Sequence, residues 1–393
     1  MANHSHNQPA MKVTRVATVP FSHRANQNMY GLLTEMGVEV MVVCSRDKGF
    51  DDIKGWNVKE VCEVPIARTI APFSDLVSIW KLMVFLRKNK PHILHSSTPK
   101  GGLVCAFAGW LCRIPVRIHT FTGQRWAMLT GAKRSLLMAC ERLVGKLSTH
   151  LYADSPSQVE YLIQEGIVSQ RKISCLGKGS FGGIDVDRFS PNIRETRIRE
   201  KLGISPEDFV FVFVGRINHD KGMNELAFAF SEILRKTKKI KLLLVGPFEQ
   251  HLDPISDDSY DFFNTNSHVI CVGLVEKPEH YLAVSDVMVF PSYREGFPTV
   301  VLEAAAMEVP TIGTDIVGGR DTIIDGETGI LIPSRDREAL LEKMRWAYNH
   351  PEQIQKMGKA GRRWVFENFE TKAFSKLQHE EYHRILADRQ NAM

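Results

Sequence analysis

The spacing of apolar residues along this chain switches repeatedly between that of a β-strand and that of an α-helix. Residues 11–19 form an apolar run of strand length, residues 27–37 repeat apolar positions at helical spacing and end at a glycine, and residues 38–44 are again an apolar run. Strand-like and helix-like stretches that follow one another in this order form β-α-β units with parallel strands. The pattern therefore predicts an α/β fold with a doubly wound parallel sheet.

The same pattern begins again near the middle of the chain. Residues Phe209–Val214 read FVFVFV, as expected of a parallel strand that is buried on both faces. Further apolar runs of strand length lie at 240–245, 268–272, 287–290, 311–314 and 329–332. Because 393 residues are too many for one ordinary core, we expect two domains, 11–188 and 189–368, after a polar N-terminus (1–10) that we expect to be disordered.

The composition is that of a soluble globular protein, with 44% hydrophobic and 24% charged residues. The seven cysteines show no C-x-x-C spacing, which is typical of a reducing compartment and does not favour a structural zinc site. Residues 1–10 lack the apolar segment of a signal peptide, and the most apolar run, 101–112, is only about half a membrane span long. We expect a cytoplasmic protein without an integral membrane segment.

Charge is divided unevenly along the chain. Residues 1–190 contain 24 Lys and Arg against 14 Asp and Glu, whereas residues 191–393 contain 26 against 31. No acidic residue occurs within 76–140, where basic and aromatic residues are interleaved. A surface of this sign attracts phosphate-rich partners, and without any nucleic-acid-binding signature an anionic membrane leaflet is favoured over nucleic acid or a merely solvated face.

Residues 75–88 are predicted to form a basic amphipathic helix at the start of this basic region. Its predicted apolar face consists of Leu76, Ile79, Trp80, Met83 and Leu86.

The stretch from residue 287 to 303 carries the strongest functional signal. An apolar strand leads through PSYREGFPT into an apolar helix, which places Glu295 in the loop at the carboxyl end of the strand and Glu303 on the helix. Ligands of open α/β sheets bind at this edge. Two carboxylates with seven residues between them can hold two sets of hydroxyls on one polyhydroxylated ligand. The alternative is a turn carboxylate and an unrelated helix acid.

A second signal, GRINHDKG, follows the strand Phe209–Val214. Gly215 permits a sharp turn, and Arg216 and Lys221 place two positive charges over the start of the next helix. The planar guanidinium and the compact ammonium together suit a diphosphate. They could stabilise the negative charge that builds on a diphosphate leaving group without Mg²⁺. The alternative is a pair of surface cations.

Candidate residues of the first domain also follow predicted strands. Ser22 and His23 lie after the first strand, and Lys100 stands before a Gly-Gly pair that opens an apolar helix, where free N–H groups favour an anion. His119 ends a further strand before the loop that contains Gly123. We interpret Ser22, His23, Lys100 and Gly123 as candidate acceptor contacts, with an exposed lysine in a tight turn as the alternative at Lys100.

Two other motifs are interpreted as structural. Residues 177–182 fit G-x-G-x-x-G, but a turn-rich connector follows and not a helix, so no dinucleotide cofactor is predicted. Asp185 and Asp187 form a D-x-D sequence within the predicted linker, and no metal is predicted there.

Together these motifs resemble those of retaining glycosyltransferases of the GT-B fold, and the chain looks like a member of family four. The E-x7-E spacing of Glu295 and Glu303 and the G-R-x-x-x-x-K-G sequence of residues 215–222 match the signatures of that family. The resemblance covers the chain after residue 10. It implies two Rossmann-like domains that face a central cleft, with a last helix (about 369–393) that packs back on the first domain.

The resemblance also implies roles for individual residues. His119, Arg216, Lys221 and Glu295 would be catalytic, with His119 reaching the transferred sugar. The donor would be held at the diphosphate by Gly215, Arg216 and Lys221, at the base by Gly273, Leu274 and Val275, at the sugar by Glu295, Gly296, Phe297, Pro298 and Thr299, and at the ribose by Glu303. No cofactor beyond the nucleotide-sugar substrate is implied.

The implied activity is transfer of a hexose or N-acetylhexosamine from a nucleotide sugar, most simply a UDP-sugar, to a polyprenyl-diphosphate-linked saccharide. Such a reaction belongs to the synthesis of bacterial surface polysaccharides, at the inner face of the cytoplasmic membrane. Two alternatives stay open. A sugar-nucleotide 2-epimerase shares the architecture, and a non-catalytic nucleotide-sugar-binding subunit would share the donor site.

Overall fold

The computed structural model describes residues 10–69, 71–180, 182–193 and 196–391. The expected disorder of residues 1–10 therefore lies outside the described residues, except for Ala10. The chain divides into two compact units, one made of Met1–Gly183 with Thr371–Met393 and the other of Ile184–Glu370. Each unit has its own parallel sheet, which confirms the predicted fold class.

The first unit is built on strands β1 (Met11–Val16), β2 (Val38–Cys44), β3 (Glu60–Glu63), β4 (Ile93–Ser97), β5 (Val116–Phe121), β6 (His150–Ala153) and β7 (Ile173–Cys175). Among the described residues they form a seven-stranded parallel sheet in the order β3-β2-β1-β4-β5-β6-β7. The order reverses between β1 and β4, where the carboxyl ends of two adjacent strands diverge into separate loops. β4 is buried throughout, although its last three residues are the polar His95, Ser96 and Ser97.

The connecting helices of this unit are α1 (Phe21–Arg24), α2 (Gln27–Glu35), α3 (Pro72–Asn89), α4 (Pro99–Leu111), α5 (Gly131–Leu147) and α6 (Pro156–Gln164). Helix α4 packs against both α3 and α5. The predicted apolar face of α3 is divided between core and solvent: Leu86 is buried, but Leu76 and Trp80 are exposed. Leu82 and Phe85 pack beside Leu86 in the core instead, because α3 carries apolar residues on both of its faces.

The second unit contains helix α7 (Thr196–Lys201) and strands β8 (Phe209–Val214), β9 (Ile240–Val245), β10 (Val269–Gly273), β11 (Val287–Phe290), β12 (Thr311–Thr314) and β13 (Gly329–Ile332). Within the described part of the unit they form a six-stranded sheet in the order β10-β9-β8-β11-β12-β13, and every adjacent pair is parallel. The order reverses between β8 and β11. The two strands followed by the predicted donor loops are therefore neighbours at the point where ligands bind in such sheets.

The remaining helices of the second unit are α8 (Met223–Leu234), α9 (Asp257–Thr265), α10 (Glu279–Leu282), α11 (Thr299–Ala306), α12 (Arg337–Asn349) and α13 (Pro351–Phe369). The unit begins at Ile184, whereas the sequence placed the boundary after residue 188. Ile184 pairs with Glu370 and its amide donates to Phe369 at 2.7 Å. Because Ile184 and Phe189 are also buried in the core of this unit, the predicted linker is part of its structure.

The last helix, α14 (Thr371–Asn391), belongs to the first unit and packs on α2. Tyr382 is fully buried, and its hydroxyl lies 2.9 Å from Arg15 Nη1 and 2.7 Å from His95 Nδ1. The hydroxyl of Tyr152 donates to Glu381 on the same helix. The helix is thus fixed by buried polar contacts as well as by apolar packing.

Candidate active site

The loops that follow β8 and β11 are tied to each other along their backbones. The amide of Tyr293 donates to the carbonyl of Asp220 at 2.9 Å, and Arg294 pairs with the carboxylate of Asp220 at 2.9 Å. A Cβ on Gly222 would lie 2.1 Å from the carbonyl oxygen of Pro291, so only glycine allows this approach. The two loops therefore act as one platform at the carboxyl edge of the sheet.

Lys221 and Glu295 form an ion pair across this platform. Their side chains are 12% and 14% exposed, so the pair is largely shielded from water. The ammonium of Lys221 also lies 5.5 Å from the centroid of the Phe290 ring. The structure therefore brings together two of the residues predicted as catalytic, one from each loop.

Arg216 has a different partner. Its Nη1 lies 2.6 Å from Glu249 Oε2, and Asn218 Nδ2 lies 3.3 Å from the same oxygen. Half of the Arg216 side chain is exposed. Glu249 is not among the residues predicted from the sequence, although its place just after a predicted strand and Gly246 marks the same sheet edge.

The carboxyl ends of β8, β9 and β10 approach one another without side chains between them. Gly246, with φ +148°, lies so close to Gly215 that a Cβ would be 1.8 Å from the carbonyl oxygen of Gly215. Gly246 also bridges to Gly273. The next residue, Leu274, is 75% exposed, and Val275 is half-buried. This edge therefore offers backbone groups and an exposed apolar side chain to a ligand.

The turn into α11 is also formed by close backbone contact. A Cβ on Gly318, which has φ +80°, would be 1.9 Å from the carbonyl oxygen of Gly296. Phe297 is buried and packs on Phe369 at 5.8 Å. Pro298 is the residue before the helix, which begins at Thr299. The first turn of α11, with its free N–H groups, thus begins four residues after Glu295.

Glu303 lies on α11, partly buried, and its carboxylate has no hydrogen-bonding partner among the described residues. Burial, opposed by Arg188 and supported by Glu279, raises the pKa of this carboxyl to about 7. Arg188 is held by Glu279 through two bonds of 3.0 and 2.8 Å. Glu303 is therefore a partly buried hydrogen-bond acceptor, and its carboxyl group changes charge near neutral pH.

In the first unit, the prediction that His119 ends its strand is wrong, because β5 continues to Phe121. His119 is buried, and its Nδ1 lies 2.9 Å from Ser96 Oγ. Ser96 Oγ also donates to the carbonyl of Ile118 at 3.3 Å, which favours an imidazole protonated at Nδ1. Burial lowers the pKa of His119 to about 3, so the ring is neutral at physiological pH. The ring packs directly on α4, where a Cβ on Gly102 would be 2.4 Å from Cε1.

The other candidates of the first unit differ in their surroundings. Lys100, in the first turn of α4, forms an ion pair with Asp75 of α3. Ser22 is partly exposed, whereas His23 is buried with its ring nitrogens 2.8 Å from Tyr30 Oη and 3.2 Å from the carbonyl of Val43. Burial lowers the pKa of His23 to about 3. Gly123 adopts φ +106° in the loop after β5.

Two family models match the chain, and each falls mostly within one unit. The model described as "Glycosyl transferase 4-like domain" matches residues 22–177, and the model described as "Glycosyl transferases group 1" matches residues 194–364. The second match contains the platform of Lys221 and Glu295 together with Glu303.

Two named relatives are similar to this chain over most of their length. The capsular polysaccharide biosynthesis glycosyltransferase CapM of Staphylococcus aureus is 33% identical over 359 residues, which cover 91% of this chain and 93% of the relative. The UDP-Gal:alpha-D-GlcNAc-diphosphoundecaprenol alpha-1,3-galactosyltransferase of Escherichia coli is 25% identical over 346 residues, 85% of this chain and 87% of the relative.

Solved structures show the same fold at low sequence identity. Anabaena Alr3699/HepE in complex with UDP and glucose matches with a TM-score of 0.80 at 15% identity, over 95% of this chain and 100% of that one. Sucrose-phosphate synthase from Thermosynechococcus elongatus matches with a TM-score of 0.79 at 18% identity, over 96% and 100%. By these matches the chain belongs to the GT-B glycosyltransferases of the bacterial surface-polysaccharide type, and its second unit matches the group 1 glycosyl transferases.

Proposed function

We propose that this glycosyltransferase moves a hexose or N-acetylhexosamine, with retention of configuration, from a nucleotide sugar to a polyprenyl-diphosphate-linked saccharide. The ion pair between Lys221 and Glu295 is the observation that carries the proposal. It places a cation for a phosphate beside a carboxylate for sugar hydroxyls, on two loops that are fixed to each other.

Each part of the donor has a proposed partner at the edge of the second sheet. The diphosphate would lie against Lys221, which directly precedes the N-cap of α8, and against the half-exposed guanidinium of Arg216 in the same loop. Glu295 and the N–H groups that follow it would hold the sugar, and Glu303 would accept hydrogen bonds from the ribose. The backbone at Gly273 and Leu274 would meet the base. A UDP-sugar is favoured because the Escherichia coli relative is named for UDP-Gal and the Anabaena structure contains UDP.

The chemical step needs no separate nucleophile in this proposal. The oxygen of the acceptor hydroxyl forms a bond to the anomeric carbon on the face from which the diphosphate leaves, and the bond from that carbon to the phosphate oxygen breaks. The acceptor proton passes to the departing diphosphate. Arg216 and Lys221 stabilise the charge that builds on this leaving group, a role that a divalent metal would otherwise serve. His119, as a neutral imidazole, would hydrogen-bond the transferred sugar.

The acceptor would be lipid-linked and reached at the inner face of the cytoplasmic membrane. Two observations support this. The basic region at 76–140 would face anionic headgroups, and the Escherichia coli relative is named for a diphosphoundecaprenol acceptor. The proposed acceptor-side contacts are Ser22, Lys100, Gly123 and the backbone of His23. The ring of His23 is buried and is not included. The product would enter capsule or other surface-polysaccharide synthesis, as the name of the Staphylococcus aureus relative indicates.

The donor is tested first. UDP, GDP and dTDP sugars are screened by thermal shift, because a ligand that binds only the folded chain raises the melting temperature. We expect UDP-sugars to stabilise the wild type and to fail with Arg216→Ala.

Transfer is then measured with the stabilising donor and a synthetic polyprenyl-diphosphate-linked saccharide. Glu295→Gln and Lys221→Ala should each lower kcat/KM by roughly 100-fold or more. Lys239→Ala, which removes an exposed ion pair with Glu207, is the matched control and should retain full activity. An epimer of the nucleotide sugar, formed from UDP-HexNAc alone and detected by NMR, would identify an epimerase. Unchanged cellular function in Glu295→Gln and Lys221→Ala would identify a non-catalytic subunit.

A further inference from the structure

Helix α3 presents an apolar surface to solvent. Phe73, Leu76, Val77, Trp80 and Val84 are between 48% and 87% exposed. Their spacing of three, one, three and four residues places them on one side of the helix, which we call the α3 face. The opposite side is also apolar and packs in the core. An exposed helix side normally carries polar residues, so the α3 face requires a separate explanation.

The exposed charges on helix α3 itself are all positive, although Lys88 pairs with Glu60 of β3 at 3.5 Å. Lys81, Arg87 and Lys88 are exposed on the helix, and Lys90 follows at its end. The acidic residue of the helix, Asp75, is mostly buried and paired with Lys100, so it does not oppose them. The exposed part of α3 therefore combines large apolar side chains with positive charge alone.

The position of the α3 face within the first unit connects it to the proposed acceptor loops. Helices α3, α4 and α5 each begin at the carboxyl edge of the sheet, because each follows the end of a strand. Phe73 and Leu76 lie in the first turns of α3, next to the start of α4, where Lys100 reaches Asp75. Leu136, near the start of α5, is also half exposed. The apolar end of the α3 face thus lies at the edge that carries Lys100.

We propose that the α3 face is a membrane-docking surface that inserts its apolar side chains into the headgroup region of an anionic bilayer. A helix with apolar side chains, a tryptophan and basic residues lies in the plane of such an interface. The flanking lysines and arginine would contact anionic headgroups while their stems cover apolar surface. No described helix is both long and apolar enough to cross the bilayer. Docking through α3 would bring Lys100 close to the plane of lipid headgroups, where a lipid-linked diphosphate lies.

This inference deepens the proposed function, on which it rests for the acceptor but not for lipid binding itself. The first test is co-sedimentation of the full chain with vesicles of phosphatidylglycerol and phosphatidylethanolamine. The double variant Leu76→Ser with Trp80→Ser should lower the partition coefficient roughly tenfold or more, because it removes the two central apolar anchors. Since both residues are exposed, its melting temperature should match the wild type.

Two controls distinguish binding through the α3 face from nonspecific adsorption to vesicles. Leu252→Ser changes a side chain that is 80% exposed in the second unit and should leave vesicle binding unchanged. Trp80→Phe keeps the apolar character and should bind vesicles nearly as the wild type does. With lipids brominated on their acyl chains, the wild type should show more quenching of tryptophan emission than Trp80→Phe, because Trp80 would then lie among the lipids. Equal quenching in the two proteins would overturn the proposal.

The contribution of charge is tested separately. Lys81→Gln with Lys88→Gln should weaken binding at low salt and have little effect at high salt, where surface electrostatics are screened. Vesicles of phosphatidylcholine alone should bind less protein. Binding that is equal on neutral and anionic vesicles would contradict the anionic partner.

A second copy of the chain is the competing occupant of the α3 face. If sedimentation velocity shows a dimer that Leu76→Ser with Trp80→Ser dissociates, while vesicle binding is unchanged, the surface is a subunit interface and the proposal fails. Glycosyl transfer distinguishes the two proposals. The double variant should lose transfer to acceptor in vesicles but keep transfer to acceptor in detergent. If wild-type vesicle binding depends on the α3 face and yet no lipid-linked acceptor is glycosylated, the result supports the docking surface and contradicts the proposed acceptor.

Discussion

The carbonyl oxygen of Asp220 accepts a hydrogen bond of 2.9 Å from the amide of Tyr293. These residues belong to loops that are about 70 positions apart in the sequence but follow adjacent parallel strands. Lys221 directly follows Asp220, and Glu295 lies two residues after Tyr293. This contact therefore holds the two residues of the ion pair close together. The site therefore depends on the junction between two loops and not on one motif alone.

The carboxylate of Asp220 is expected to hold this junction in place for catalysis. Asp220→Asn keeps the size of the side chain but removes the charge that pairs with Arg294 at 2.9 Å. We expect kcat/KM for sugar transfer to fall about tenfold, because small displacements of positioned groups are costly in catalysis, with little change in melting temperature. Steady-state kinetics check this. Asp257→Asn, at an exposed position in the first turn of α9, is the control, and an equal effect of both changes would refute the expectation.

Donor affinity is expected to depend on pH through Glu303. Its pKa is raised to about 7, so its proton is lost as the pH rises through neutrality, and only the ionised carboxylate accepts hydrogen bonds from both ribose hydroxyls. Binding of a UDP-sugar should therefore strengthen between pH 6 and pH 8. Calorimetric titration at several pH values measures this. Glu303→Gln cannot titrate and should lose the rise, whereas an unchanged rise in that variant would assign it to another group.

The contact between Gly102 and His119 predicts a substitution with two effects. A Cβ at position 102 would lie 2.4 Å from Cε1 of His119, so Gly102→Ala must displace the ring or helix α4. We expect the free energy of unfolding to fall by about 1–3 kcal/mol, as for overpacked cores, together with a loss of transfer activity.

The matched control for this substitution is Gly31→Ala on helix α2. A Cβ there meets nothing nearer than 3.9 Å, and alanine should add about 0.5–1 kcal/mol of stability. Urea unfolding of both variants provides the comparison. A neutral or stabilising Gly102→Ala would mean that His119 is not packed against α4.

The hydroxyl of Tyr382 is expected to stabilise the attachment of α14. Tyr382→Phe removes one buried hydrogen-bonding partner from each of Arg15 and His95, which keep their 2.8 Å contact with each other, and should lower the free energy of unfolding by about 1–3 kcal/mol. Denaturant unfolding measures the loss, and hydrogen exchange should show earlier opening of α14. Tyr260→Phe, at a partly exposed ring, should change neither quantity.

Much of the fold could be predicted from the sequence, because buried parallel strands are apolar throughout and differ visibly from the helices between them. Phe209–Val214 and Val287–Phe290 show this, and both are strands in the structure. The spacing of Glu295 and Lys221 relative to their strands also placed them correctly at the same sheet edge, since parallel strands end together.

The remaining features depend on side-chain directions that spacing does not encode. Helix α3 is apolar on both sides, so the pattern could not show which side the sheet would cover, and Leu76 and Trp80 are exposed. His23 follows β1 but turns inward to Tyr30, because its ring nitrogens find partners in the core. Arg216 pairs with Glu249, a contact between loops that no single-motif pattern contains.

The position of the donor is tested most directly by a crystal structure with the UDP-sugar chosen by thermal shift. The diphosphate should lie against the second unit, with an oxygen about 3 Å from Nζ of Lys221, and a carboxylate oxygen of Glu295 should accept a hydrogen bond from a sugar hydroxyl. A donor bound away from both loops, with the pair of Lys221 and Glu295 untouched, would contradict it.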